Sequence, residues 1–260
     1  MTGTSPDFRP ILELKNLTKI FGGLTAIHDL SLTFYSQKLQ SIIGPNGAGK
    51  TTLFNLITGM FSPDSGHIFL KGEDITHLSA PEIFRRRIVR TFQISSIFPQ
   101  LTVLKNAEIA AQGRYRTSNS PWGRLKLPRK QIQEICIEHL KNLKLSDQRE
   151  QKAGLLAYGD KRRLEIVMAL VSDPEVLLLD EPTAGMSPEE TRESAQLIRE
   201  LSRNVTVLLV EHDMKVVMGI SDRVTVLNRG SILVDGDPRD IQKNSEVQSV
   251  YLGNLAKNEA

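Results

Sequence analysis

The sequence predicts an α/β protein: a mostly parallel sheet covered by helices on both faces, with a more helical insertion between roughly residues 90 and 165. Three observations lead there. Val176–Leu179 is a continuous apolar run and Val205–Val210 is apolar but for Thr206, the pattern of parallel strands buried on both sides. From about residue 160 the order reads helix, strand, helix, strand. A glycine-rich loop at 44–51 joins a short apolar strand to a helix.

The opening third reads as strands. Leu30, Leu32 and Phe34 alternate with Asp29, Ser31 and Thr33, which makes a half-buried strand. Leu39–Ile43 is a second short strand and runs into the glycine-rich loop; Thr52–Thr58 then has helical character. Ser79-Ala-Pro-Glu82 is a capping box with Pro81 in the first turn, and the helix it opens is expected to carry Arg85, Arg86, Arg87 and Arg90. Ala111–Lys130 holds Gly113, Pro121, Gly123, Pro128 and six Lys or Arg residues, so it reads as a surface loop or short helices. Ile132, Ile135, Cys136, Leu140 and Leu143 mark an amphipathic helix. Ser187-Pro-Glu-Glu190 signals a further helix start.

Composition bounds the function. The 260 residues carry 33 Lys and Arg against 30 Asp and Glu, a net charge of +3, too slight an excess to argue for nucleic acid. With Cys136 as the only cysteine, an internal disulfide is impossible and a reducing compartment fits. The longest apolar runs fall well short of the roughly 20 residues that span a bilayer, and MTGTSPDFRP lacks the apolar core of a secretory signal. Any service to a membrane is expected to run through partner subunits. The five histidines have no metal-ligand spacing.

Gly44, Pro45, Asn46, Gly47, Ala48, Gly49, Lys50 and Thr51 read GPNGAGKT, a full match to GxxxxGK[ST] in the required strand–loop–helix context. The glycines let the backbone turn and present N–H groups, which with the positive end of the following helix solvate phosphate oxygens. Lys50 brings a full charge to the β- and γ-phosphates, and the Thr51 hydroxyl is a hard ligand suited to Mg²⁺. Val176-Leu-Leu-Leu-Asp-Glu181 is an apolar strand ending in two acids, costly unless cations meet them. Asp180 suits Mg²⁺, and Glu181 suits the water that attacks the γ-phosphate.

Together these motifs resemble the ABC ATPase cassette over nearly the whole chain. The resemblance implies a P-loop core, an N-terminal antiparallel β-subdomain and a helical subdomain at roughly 90–165, within one ATPase domain at 9–255 flanked by tails at 1–8 and 256–260. Carried over residue by residue, Gln93 in Arg90-Thr-Phe-Gln93 senses Mg²⁺ and the γ-phosphate. Thr52 extends the phosphate loop, and Phe21 in Lys19-Ile-Phe-Gly22 stacks on adenine. His212 in Val210-Glu-His-Asp213 is the switch that contacts the γ-phosphate, and Ala184-Gly-Met-Ser187 is a subunit-contact loop. Leu156, Ala157, Tyr158, Gly159 and Asp160 occupy the place of the LSGGQ signature, which completes a partner subunit's ATP site.

Here the chain departs from the superfamily. Ala157 replaces a hydroxyl, Asp160 adds a negative charge that Lys161, Arg162 and Arg163 are placed to offset, and Ser187 stands where Asp is usual. Leu156–Ile166, Arg90–Gln93, Glu211–Met214 and Tyr251–Gly253 resemble instead the LivG-type branch of importer ATPases for hydrophobic amino acids. The branch implies ATP and Mg²⁺ as cofactors, two permease subunits, a second and non-identical ATPase, and an extracellular or periplasmic substrate-binding protein. It also implies residence on the cytoplasmic face of the plasma membrane, with no nucleic-acid partner. Urea or amide import and lipopolysaccharide export are alternatives for the same ATPase. A soluble ATPase acting on ribosomes or DNA, or a regulator without turnover, are alternatives of other classes. One cassette, with neither a heptad run nor a zinc pattern, argues against the soluble ATPase, and Glu181 against the regulator.

Overall fold

The computed structural model describes residues 9–91, 97–115 and 125–250. In chain order the elements are β1 (Pro10–Phe21), β2 (Leu24–Tyr35), β3 (Leu39–Ile43), α1 (Lys50–Ile57), β4 (Ser65–Leu70), β5 (Glu73–Asp74), α2 (Ala80–Arg85), β6 (Ile88–Arg90), α3 (Val103–Tyr115) and α4 (Arg129–Asn142). They continue with α5 (Tyr158–Leu170), β7 (Val176–Asp180), α6 (Pro188–Leu201), β8 (Thr206–Val210), α7 (Met214–Ile220), β9 (Arg223–Asn228), β10 (Ser231–Gly236) and α8 (Pro238–Lys243). Among the described residues, no helix is long and apolar enough to cross a membrane. Contacts divide the chain into two compact units, Met1–Arg86 with Ile198–Ala260, and Arg87–Leu197.

The first unit holds an antiparallel sheet in the order β2-β1-β4-β5. Leu30, Leu32 and Phe34 of β2 are buried and Asp29 and Ser31 exposed, as their alternation predicts. The unit also holds a run in the order β10-β9-β3-β8, in which β3 is parallel to both β8 and β9, and β10 closes the edge antiparallel. Every residue of β3 and β8 is buried, so both faces of these strands are covered. Helix α1 contributes Leu53, Phe54, Leu56 and Ile57 to the core, and α7 and α8 pack Val217 and Ile241 against Ile43, Val224 and Val226. Asp213 caps α7 by accepting from the backbone N–H groups of Lys215 and Val216.

In the second unit β6 runs parallel to β7, with Arg90 opposite Leu178. All five residues of β7 are buried. Helix α4 turns Ile132, Cys136 and Leu140 inward, the stripe the sequence predicts. Burial pushes the Cys136 thiol up to about 12, which leaves almost no thiolate at neutral pH and makes Cys136 a core residue. The start of α6 is a reciprocal capping box: Ser187 N–H donates to Glu190 at 2.9 Å and Glu190 N–H donates to Ser187 Oγ at 3.3 Å.

One expectation is corrected. Helix α2 begins at its capping box but ends at Arg85; Arg87 lies in the left-handed region (φ 68°) and Arg90 is on a strand. The Arg87 guanidinium bonds the Asp173 carbonyl at 2.7 Å and Glu175 at 3.0 Å, which holds the chain where it turns from helix into β6. Ala111–Tyr115, read as surface loop or short helices, is helical and ends α3. Residues 116–124 and Tyr251–Gly253 lie outside the described residues.

Candidate functional site

In the first unit the register of the parallel strands positions the phosphate loop. Ile42 of β3 lies opposite Val210 of β8, so both chains leave the sheet at the same edge. Two residues on, β3 reaches Gly44 and β8 reaches His212, whose side chain is exposed. The loop closes against its surroundings: Ala48 N–H donates to the Pro45 carbonyl, and Gly230 N–H to the Ala48 carbonyl. Gly49 caps α1 at φ 106°, and a Cβ there would stand 2.7 Å from the Ala26 carbonyl oxygen. At Gly44 the clash would be worse, 2.3 Å from the Leu227 carbonyl oxygen. The glycines are therefore demanded by the close approach of β2 and β9.

Gly44→Ala is accordingly expected to cost about 1–3 kcal/mol of stability through overpacking and to weaken ATP binding with it. Thermal denaturation and nucleotide titration check this; a parent-like melting temperature and affinity would mean the loop tolerates the methyl.

Lys50 is buried, and its ammonium donates to the carbonyls of Gly44 at 2.7 Å and Pro45 at 3.0 Å. The charge thus lies inside the curve of the loop. Thr51 is exposed and Thr52 half-buried, and Asn46 and Gly47 form the exposed rim. Phe21 ends β1 with 41% of its surface exposed, edge-on to Phe61 (5.3 Å, 70°), and Lys19 Nζ lies 5.4 Å from its ring centre. A half-exposed ring can stack on a planar base.

The second unit presents the acids. Asp180 ends β7 with a side chain 0% exposed, and its Oδ2 accepts from Arg90 Nη2 at 2.6 Å. Its Oδ1 is buried with no hydrogen bond. A buried carboxylate oxygen without a donor fits a hard cation. Among the described residues no cluster of three or more His, Cys, Asp or Glu could hold a metal alone. A Mg²⁺ on Asp180 would then draw further ligands from phosphate oxygens and water, its usual arrangement with nucleotides. Glu181 follows in the left-handed region (φ 50°), between the strand end and Pro182, which disfavours right-handed helical backbone before it. Such a conformation stores ~1–3 kcal/mol. Gln93 lies outside the described residues.

The signature segment begins α5. Ala157 occupies the N-cap position with no side chain to cap it, so the first turn keeps its donors. Gly159 is buried, and a Cβ there would stand 2.8 Å from Glu190 of α6. Gly185, at φ 77°, faces the Tyr158 ring; a Cβ on it would stand 3.3 Å from Cε1 of that ring. The charge of Asp160 is met by Arg163, which donates to it at 3.3 Å and to Glu193 at 2.8 Å. Arg162, expected to share that task, instead donates to the Tyr158 hydroxyl and to Glu165.

The structure thus groups the loop at Gly44–Thr51 with His212, and the pair Asp180 and Glu181 with Arg90. In the sequence Arg90 is read as part of an arginine-rich helix and as the first residue of Arg90-Thr-Phe-Gln93, and neither reading sets it against Asp180. The sole sequence signal for its placement is the tripeptide Ile88-Val-Arg90, apolar enough for a strand but too short to stand out.

The chain is similar to known proteins along most of its length. The family model described as ABC transporter matches residues 27–184. The high-affinity branched-chain amino acid transport ATP-binding protein BraF of Pseudomonas aeruginosa is 44% identical, covering 94% of this chain and 98% of its own length. LivG of Escherichia coli, with the same description, is 43% identical over the same shares. Among solved structures, an ATP-binding cassette of an ABC transporter in its ADP conformation superposes with a TM-score of 0.83 at 30% identity, covering 94% of this chain and 99% of that one.

Proposed function

This chain belongs to the ABC transporter family, and from that premise we propose that it is the ATP-binding and ATP-hydrolysing subunit of an importer for branched-chain amino acids. The observation that carries the proposal is the likeness to two such subunits along almost their whole length, together with an intact GPNGAGKT loop.

The site residues divide the work as follows from their chemistry, Gln93 by resemblance alone. The loop N–H groups and Lys50 bind the α-, β- and γ-phosphates, with Thr52 beside them, and Phe21 offers its face to adenine. Thr51, Asp180 and Gln93 are the residues that would hold Mg²⁺, which would supply charge neutralisation at the phosphates. Glu181 orients the attacking water and accepts its proton, and His212 contacts the γ-phosphate. Ala157, Tyr158, Gly159 and Asp160 present the start of α5 to the nucleotide of a partner ATPase. That partner is a second, non-identical ATPase. The pair drives two permease subunits from the cytoplasmic face of the membrane, with a binding protein delivering the amino acid from outside.

Vesicles reconstituted with the permeases test the reading. ATP-dependent uptake of leucine is expected only when both ATPases are present. Full uptake with this chain alone would remove the heterodimer, and a complete complex that hydrolyses ATP but moves no leucine, isoleucine or valine would remove the substrate class.

A further inference from the structure

Arg90 and Asp180 end two adjacent parallel strands, and both are charged and buried. Their side chains are 7% and 0% exposed, with Nη2 of the arginine 2.6 Å from Oδ2 of the aspartate. An ionised carboxylate at that depth requires a cation facing it. Arg90 takes one oxygen, and the other, Oδ1, is buried without a hydrogen bond. One oxygen of the carboxylate is thus held by a positive group, and the other has the chemistry to meet a second.

We propose that Arg90 is the resident counter-cation of the metal-binding carboxylate: a positioning residue that holds Asp180 in place, and that weakens its hold on a free divalent cation so that the metal enters with the nucleotide. The inference rests on the reading of Asp180 as the Mg²⁺-holding acid. Two effects oppose each other when Arg90 is lost. The carboxylate loses a partner that orients it, which would weaken metal binding. It also loses a positive charge that repels a dication from the same group, which would strengthen it. Asp180 is packed at 0% exposure, so the side chain has little freedom left to gain. Repulsion between charges sharing one buried carboxylate is large at low dielectric, so the second effect wins.

The test is a titration of the full-length, nucleotide-free chain with Mn²⁺ alone, read by electron paramagnetic resonance of the free ion. Arg90→Met, which keeps length and loses charge, is expected to bind Mn²⁺ at least ~10-fold more tightly than the parent. Arg90→Lys should stay near the parent, and Arg90→Met combined with Asp180→Asn should lose the gain. Affinity in Arg90→Met equal to or weaker than the parent's, or a gain that survives Asp180→Asn, overturns the inference. If Arg90→Met does not fold, Arg90→Gln is judged by the same results. Binding of Mn²⁺–ATP to the parent is measured alongside. A parent that binds it while Arg90→Met shows no gain removes only the role of Arg90; a parent that does not bind it removes the nucleotide-site reading.

Discussion

Glu181→Gln is expected to bind ATP as the parent does and to hydrolyse it at least ~10²-fold more slowly, the usual worth of a positioned general base. The substitution suits this backbone. Glu181 lies at φ 50°, a left-handed conformation that penalises any side chain with a Cβ. Glutamine keeps the Cβ, the length and the backbone penalty, so only the charge and proton-accepting capacity change. Glu181→Gly would relieve the strain as well and confound the result. With hydrolysis blocked, ATP should hold the chain and its partner together, visible as a nucleotide-dependent larger species on size exclusion. Unchanged turnover in a purified complex would end the role assigned to Glu181.

Lys50→Ala should act on binding instead. The ammonium is buried and held at 2.7 and 3.0 Å by two loop carbonyls, so its charge is already desolvated and aimed into the curve of the loop. Hydrogen bonds to charged groups contribute about 1.5–3 kcal/mol, which converts to roughly 10- to 150-fold in affinity. Removing the ammonium also leaves the Gly44 and Pro45 carbonyls without that donor, so the loop itself should loosen. Calorimetric titration with Mg²⁺–ATP checks the change, and an unaltered affinity would contradict the role of Lys50. The two variants thus separate on one instrument: loss of binding for Lys50, loss of turnover with binding intact for Glu181.

Much of the candidate site is legible in the sequence because its chemistry is contiguous. GPNGAGKT needs eight consecutive residues between a strand and a helix, and both flanking elements are present as β3 and α1. Val176–Leu179 announces itself because a strand covered on both faces must be apolar along its length. The segment from Ser79 to Arg90 misleads for a physical reason. A capping box and a run of arginines favour a helix locally, yet the backbone leaves the helical region at Arg87 and β6 pairs with β7, so strand pairing overrides local propensity. The charge around Asp160 misleads in a similar way. Three basic residues follow it, and their sequence neighbourhood is alike. Only the packing of α5 decides that Arg163 meets Asp160 while Arg162 turns to Tyr158 and Glu165.

By itself the sequence determined the fold class, the phosphate loop, the acid pair at 180–181 and the resemblance to a family of transport ATPases. Each of these rests on residues adjacent in the chain or repeated at the period of one element. The tertiary structure alone decided that Arg90 faces Asp180, 90 residues away along the chain, and that Gly44 must lack a side chain because the Leu227 carbonyl passes beside it. Such contacts depend on which strands become neighbours, and the pairing energy that selects neighbours is spread over many residues and written in none of them singly.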